Sequence, residues 1–185
     1  MWGARAAVVG SMRKTPLTLT LAALALTAPA ATAHASGPAS SAPTTLAARS
    51  ASAAGEVATM RGLINPTRRR AGLPALRSNR VLSRAAGLKV GRIASCGQFT
   101  HTPCGAPFTA AFRSAGWRRG TMGENIAFGS SSLGTPQAIL QSWLQSPGHR
   151  ANLLSRSFRY QGLAVRTVPL PGIGAVRVWV NTFGG

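Results

Sequence analysis

The sequence predicts an α+β domain, with helices first and strands at the end. Three observations predict it. Apolar residues recur at helical spacing in "GEVATMRGLI", "RVLSRAAGLKV" and "TPQAILQSWL". Near the C-terminus, Val176, Val178 and Val180 alternate with Arg177, Trp179 and Asn181, the period of a strand. Prolines and glycines punctuate the segments between.

The elements follow in chain order. Arg13 and Lys14 precede an apolar stretch from Leu17 to Ala28 and a small-x-small site at Ala33-His34-Ala35. That is the pattern of a secretory signal over residues 1–35, cleaved after Ala35. Met12 is an alternative start. The stretch is short and proline-interrupted, and nothing later approaches the ~18 apolar residues of a transmembrane helix. The small, polar residues 36–54 read as a flexible linker, and residues 55–185 as the domain. Its first helix carries the stripe Val57, Met60, Leu63 and Ile64, with Glu56 at the positive end and Arg68 to Arg70 at the other. Pro66 should bend or end it. Ser78 or Asn79 caps a second helix. Leu82, Ala85, Ala86 and Ile93 face inward there, Arg80, Arg84 and Arg92 outward, and Lys89 falls on the inward side. "FTAAFRSAGW" is a short third helix and "GENIAFG" a short buried strand. Thr135-Pro136 opens a further helix, ended by Pro147 and Gly148. "YQGLAVRTV" and "GAVRVWVNTFG" are strands around the turn "PLPG". Trp179 requires cover on the second face of its strand.

The charge is extreme: 21 Lys and Arg against 2 acids in 185 residues, with no Asp, for a net +19. Removal of residues 1–35 leaves 18 cations against 2 acids, a net +16. Such a surface suits anionic envelope polymers or lipids. The basic runs lack aromatic interleaving and any nucleic-acid motif, so nucleic-acid binding would be unspecific. No Walker or dinucleotide glycine pattern is present. Without Asp there is no EF-hand loop and no Asp-based triad. Cys96 and Cys104, in an oxidising compartment, favour a disulfide rather than thiol catalysis. The remaining chemical candidates are His101, Glu124 and His149. Two imidazoles and a carboxylate can hold zinc with one position open, or His101 and His149 can bind the metal while Glu124 acts beside it. Capping and loop roles are the plain alternative.

In order along the chain stand "LINPTRRRAGLPAL", "LSRAAG", "FTH", "GENIAFG", "SWLQSPGHRANLL" and "GLAV". Together they resemble the bacterial SCP-like branch of the CAP superfamily, which groups cysteine-rich secretory proteins, antigen 5 and plant pathogenesis-related proteins. The resemblance spans roughly residues 56–184. It implies an α-β-α sandwich, a small antiparallel sheet with helices on both faces. It implies a cleft lined by His101 of "FTH", Glu124 of "GEN" and His149 of "SPGHR", with zinc held by the histidine pair in some members. Ser146 stands where animal and plant members carry a second Glu. Lys89 stands where many bacterial relatives carry a His. Both are expected to line the cleft. No single reaction is shared by the family. The leading expectation is a secreted, monomeric binding module held at the envelope. A zinc-assisted hydrolase and a polyanion or nucleic-acid binder are the alternatives.

Overall fold

The structure, a computed structural model, describes residues 44–118 and 120–185, with side chains from Ser52 onward. The export signal assigned to residues 1–35 lies outside the described residues, as do residues 36–43 of the expected linker. Helix α1 spans Thr44–Arg70, strand β1 Arg77–Ser78 and helix α2 Arg80–Cys96. Helix α3 (Ala110–Ala115) and strand β2 (Met122–Gly129) come next. Helices α4 (Pro136–Gln145) and α5 (Pro147–Leu153) then lead into strands β3 (Tyr160–Leu170) and β4 (Gly174–Gly184).

The sheet order is β1-β3-β4-β2. The three long strands pair antiparallel, as expected, while β1 adds a two-residue parallel pair with β3. So short a strand has no alternation to read in the sequence. Period-2 side-chain geometry divides the core between the two faces of the sheet. Val176, Val178 and Val180 pack with Ile126 of β2 and with Ala86, Val90 and Ile93 of α2. On the opposite face Trp179 and Phe183 pack with Met60 and Ile64 of α1, Ile139, Leu140 and Trp143 of α4, and Leu153 of α5. Helices therefore cover both faces, and Trp179 is fully buried with its indole N–H donating to the Gly134 carbonyl at 2.9 Å.

Several local expectations need correction. Helix α1 starts at Thr44, so residues 44–54 of the expected linker are helical, and Glu56 lies mid-helix rather than at an N-terminus. There it accepts a charge-assisted hydrogen bond from Arg177 of β4. Pro66 does not end the helix. Four residues back stands the exposed Gly62, whose carbonyl can turn to water when it loses its donor, with no side chain in the way. Tertiary bonds also hold the last turn: Asn65 donates to the Leu76 carbonyl and accepts from the Leu76 N–H, at 3.2 and 3.0 Å. Arg68 is not a surface cation. It is fully buried and donates to the carbonyls of Pro74, Leu153 and Ser155 at 3.0, 2.6 and 3.1 Å. It rivets the end of α1 to the end of α5, and burial lowers its pKa from the usual arginine value. Pro147 ends α4 as expected but also opens α5, in the first-turn position proline favours.

Helix α2 approaches the sheet closely at Gly162 of β3. A Cβ there would lie 2.0 Å from the carbonyl carbon of Leu82, so only glycine admits this contact. Asn79 caps α2, its side-chain oxygen accepting from the N–H groups of Val81 and Leu82 at 2.9 and 3.1 Å.

Candidate functional site

Strand β2 lies at one edge of the sheet, so both helical layers meet around it. Alternation places Glu124 on the same face as Ile126, under α2, and Asn125 on the opposite face, against α5. Gly123 keeps the strand close to the α5 layer; a Cβ there would lie 2.5 Å from the Phe158 ring.

On the α2 face, Lys89 comes down from the helix and meets Glu124. The ammonium lies 3.2 Å from Oε1, with side-chain exposures of 2% and 0%. It also donates to the His101 carbonyl and stands 5.7 Å from the centre of the Phe108 ring. The inward placement of Lys89 read from its spacing is therefore met by burial in an ion pair. Removing both charges from water is costly, so the extra bonds to the pair matter to its stability.

His101 completes the group. Its Nδ1–H donates to Glu124 Oε1 at 2.8 Å, while the side chain remains 46% exposed. The loop carrying it is pinned three ways. Cys96, the last residue of α2, is joined to Cys104 by the expected disulfide. Phe99 meets Phe128 of β2 edge to face, with ring centres 4.7 Å apart. The Lys89 ammonium holds the His101 backbone. Glu124 thus fixes the orientation of a rim imidazole and leaves Nε2 as its open nitrogen. The second carboxylate oxygen, Oε2, is buried without a partner among the described residues.

His149 approaches from α5, in the other layer. No hydrogen bond links it directly to Glu124. Asn125 donates to its carbonyl at 2.9 Å, and Asn152, one turn on, donates to Asn125 and to the Glu124 carbonyl at 2.9 and 3.2 Å. Burial lowers the His149 pKa below the usual histidine value, and the charge of nearby His101 lowers it further. Ser146 caps both α4 and α5 through its backbone, its side chain making no capping bond.

Asn125 and Asn152 do not stand out as site residues in the sequence. Asn125 belongs to the fold, and it also anchors the helix that carries His149. The signal for Asn152 is its place three residues after His149, on the same helical side. Phe99 and Phe108 carry no pattern of their own.

The donor set can be weighed against zinc. Sites of this metal hold three or four protein ligands. Among the described residues, no group of three or more His, Cys, Asp or Glu is placed to hold an ion. Glu124 engages Lys89 and His101 through Oε1 alone, and Ser146 has no carboxylate to offer. A cationic ammonium already stands against Glu124. The described residues thus supply no three-ligand zinc site, while Nε2 of His101 and Oε2 of Glu124 stay without partners among them.

Helices on both faces of the sheet define an α-β-α sandwich, with Glu124 and His101 joined at its edge strand and His149 carried by α5 in the facing layer. The sequence profile described as CAP, the cysteine-rich secretory protein family, matches residues 61–170. The chain belongs to this family. It is 33% identical over 144 residues to YkwD of Bacillus subtilis (strain 168), described as uncharacterized, covering 77% of this chain and 51% of that protein. It therefore spans about half the length of this curated relative. Among solved structures, an extracellular protein containing an SCP domain from Bacillus anthracis str. Ames superposes with a TM-score of 0.63 and 24% identity, over 78% of this chain and 45% of that one. An outer surface protein of Borrelia burgdorferi gives 0.59 and 18%, over 70% and 92%. A cysteine-rich secretory protein of Staphylococcus aureus gives 0.56 and 17%, over 71% and 39%. At these identities the structural likeness concerns the fold.

Proposed function

We propose that this chain is an extracellular binding module, in which the rim imidazoles of His101 and His149 receive a polar or anionic group of an envelope ligand. One observation carries the reading. Glu124 is buried and committed to Lys89 and His101, so it acts as an orienting group and not as a free base facing a substrate. An exposed imidazole held by a buried ion pair is a preorganised hydrogen-bonding surface. The surface charge supports an anionic partner, and the described relatives include extracellular and outer-surface proteins. Among the described residues no helix is long and apolar enough to cross a membrane. The zinc-assisted hydrolase reading has less support, because no group of three or more His, Cys, Asp or Glu is placed to hold an ion among the described residues.

Co-sedimentation of the domain with isolated cell envelope, across a salt series, tests this. Pelleting is expected at low salt. His101→Ala/His149→Ala should weaken retention at moderate salt by at least about tenfold, roughly 1.4 kcal/mol. No pelleting at low salt, or retention unchanged in the double variant, would remove the reading.

A further inference from the structure

A second site lies where the end of α1 meets α4 and α5, and its lining includes neither His101 nor His149. A half-open cavity of about 410 Å³ is lined there by Thr67, Arg70, Ala71, Leu144, Arg150 and Leu154. Its lining combines two arginines and a threonine with apolar side chains.

The charge balance of the chain leaves the cations of this cavity, like most others in the sequence, without an internal acid. The sequence has only two acidic side chains. Glu56 is bound to Arg177 and Glu124 to Lys89 and His101. No acidic side chain is left within the chain for Arg70 or Arg150. Arg70 donates to the Thr67 hydroxyl at 3.3 Å. The C-termini of α1 and α5 lie here beside the last turn of α4, and the carbonyls of such ends would ordinarily repel an anion. Those carbonyls are already occupied. The N–H groups of Ala71 and Gly72 bind the carbonyls of Thr67, Arg68 and Arg69, and the Leu154 N–H binds that of Arg150. Arg68 takes the Leu153 carbonyl and places a permanent buried charge at the same junction. The negative ends of both helices are thus largely satisfied, and the field of the arginines remains.

We propose that this cavity binds a phosphate ester on a small polyol, of the glycerol phosphate kind, with Arg70 and Arg150 on the phosphate. The Thr67 hydroxyl, which donates to the Leu63 carbonyl, accepts from a hydroxyl of the polyol, and Leu144, Leu154 and Ala71 receive its carbon backbone. Guanidinium groups suit phosphate because they present several fixed donors to its oxygens. A cavity of this volume admits one such unit with room for its neighbour on a polymer.

The test uses the full domain at low ionic strength, with glycerol 3-phosphate followed by NMR at the resonances of Thr67, Leu144 and Leu154. Arg70→Gln/Arg150→Gln is compared with Arg84→Gln/Arg166→Gln, which removes the same charge from exposed positions elsewhere. The proposal expects saturable shifts at the three resonances, an affinity at least about tenfold weaker in the first pair, and little change in the second. Shifts confined to Thr67, Leu144 and Leu154, with the His101 resonances unmoved, would separate this site from the cleft. Equal loss in both arginine pairs would assign the effect to net charge and overturn the site. So would an absence of saturable shifts, even if phosphatidylglycerol vesicles were bound in a manner needing Arg70 and Arg150, since that would assign the arginines to a membrane surface.

Discussion

Glu124 and Lys89 show what a buried charge demands of its neighbours. Changing Glu124 to Gln leaves the Lys89 ammonium in a dry site without a counter-charge. Breaking a buried pair in this way costs about 3–5 kcal/mol, whereas Glu124→Gln/Lys89→Met should recover much of that loss. Urea denaturation of the two singles and the double measures the coupling directly; additive losses would mean the pair is not a unit. His149 gives a second handle. Its folded pKa lies below its unfolded value, so at acidic pH the unfolded chain binds more protons than the native one. Stability contributed by neutral His149 is present above the unfolded pKa, near 6.5, and declines as pH falls below it. Thermal unfolding should show this decline, and His149→Gln should flatten it. These residues differ in how readable they are. Lys89 is placed inward by helical spacing alone, and Glu124 stands out by scarcity. That Lys89, His101 and Glu124 form one cluster depends on which face of β2 lies under α2, a tertiary fact that periodicity does not carry.

At the level of elements, the loop between Cys96 and Cys104 is the connection between chain topology and the rim. The disulfide limits a loop whose histidine must meet a strand more than twenty residues later. Replacing both cysteines by Ser should cost somewhat under about 3 kcal/mol by chain-entropy reasoning. It should also speed exchange of the His101 Nδ1 proton, since one of three pins is gone; NMR detects that proton only when it is held. Helix boundaries are harder to read than helix existence. Residues 44–54 look like linker by composition, yet they extend α1, because a helix already nucleated can propagate through Ala and Arg at little cost. Pro66 and Arg68 mislead for one reason: local propensity describes an isolated helix, and here Asn65 and Arg68 tie the last turn into the rest of the fold. Helix α5 and strand β1 are too short for any pattern to declare them.

For the whole molecule, the salient quantity is a charge of +19 with both acids already engaged inside the fold. Attraction to an anionic polymer should weaken steadily with added salt as counterions compete for it. The same arrangement governs how copies treat one another. A neighbouring copy offers almost nothing negative to dock against, since Glu124 is sealed and Glu56 is already paired. Copies gathered on one polymer strand should therefore hold one another apart, and each arrival should make the next less favourable. Binding isotherms on a soluble polyanion are expected to show apparent affinity falling with occupancy at low salt, and the effect fading once the screening length drops below the spacing between copies. Positive cooperativity at low salt would contradict it. Engaging its two acids internally would make this a protein that coats a surface sparsely and evenly instead of clustering on it.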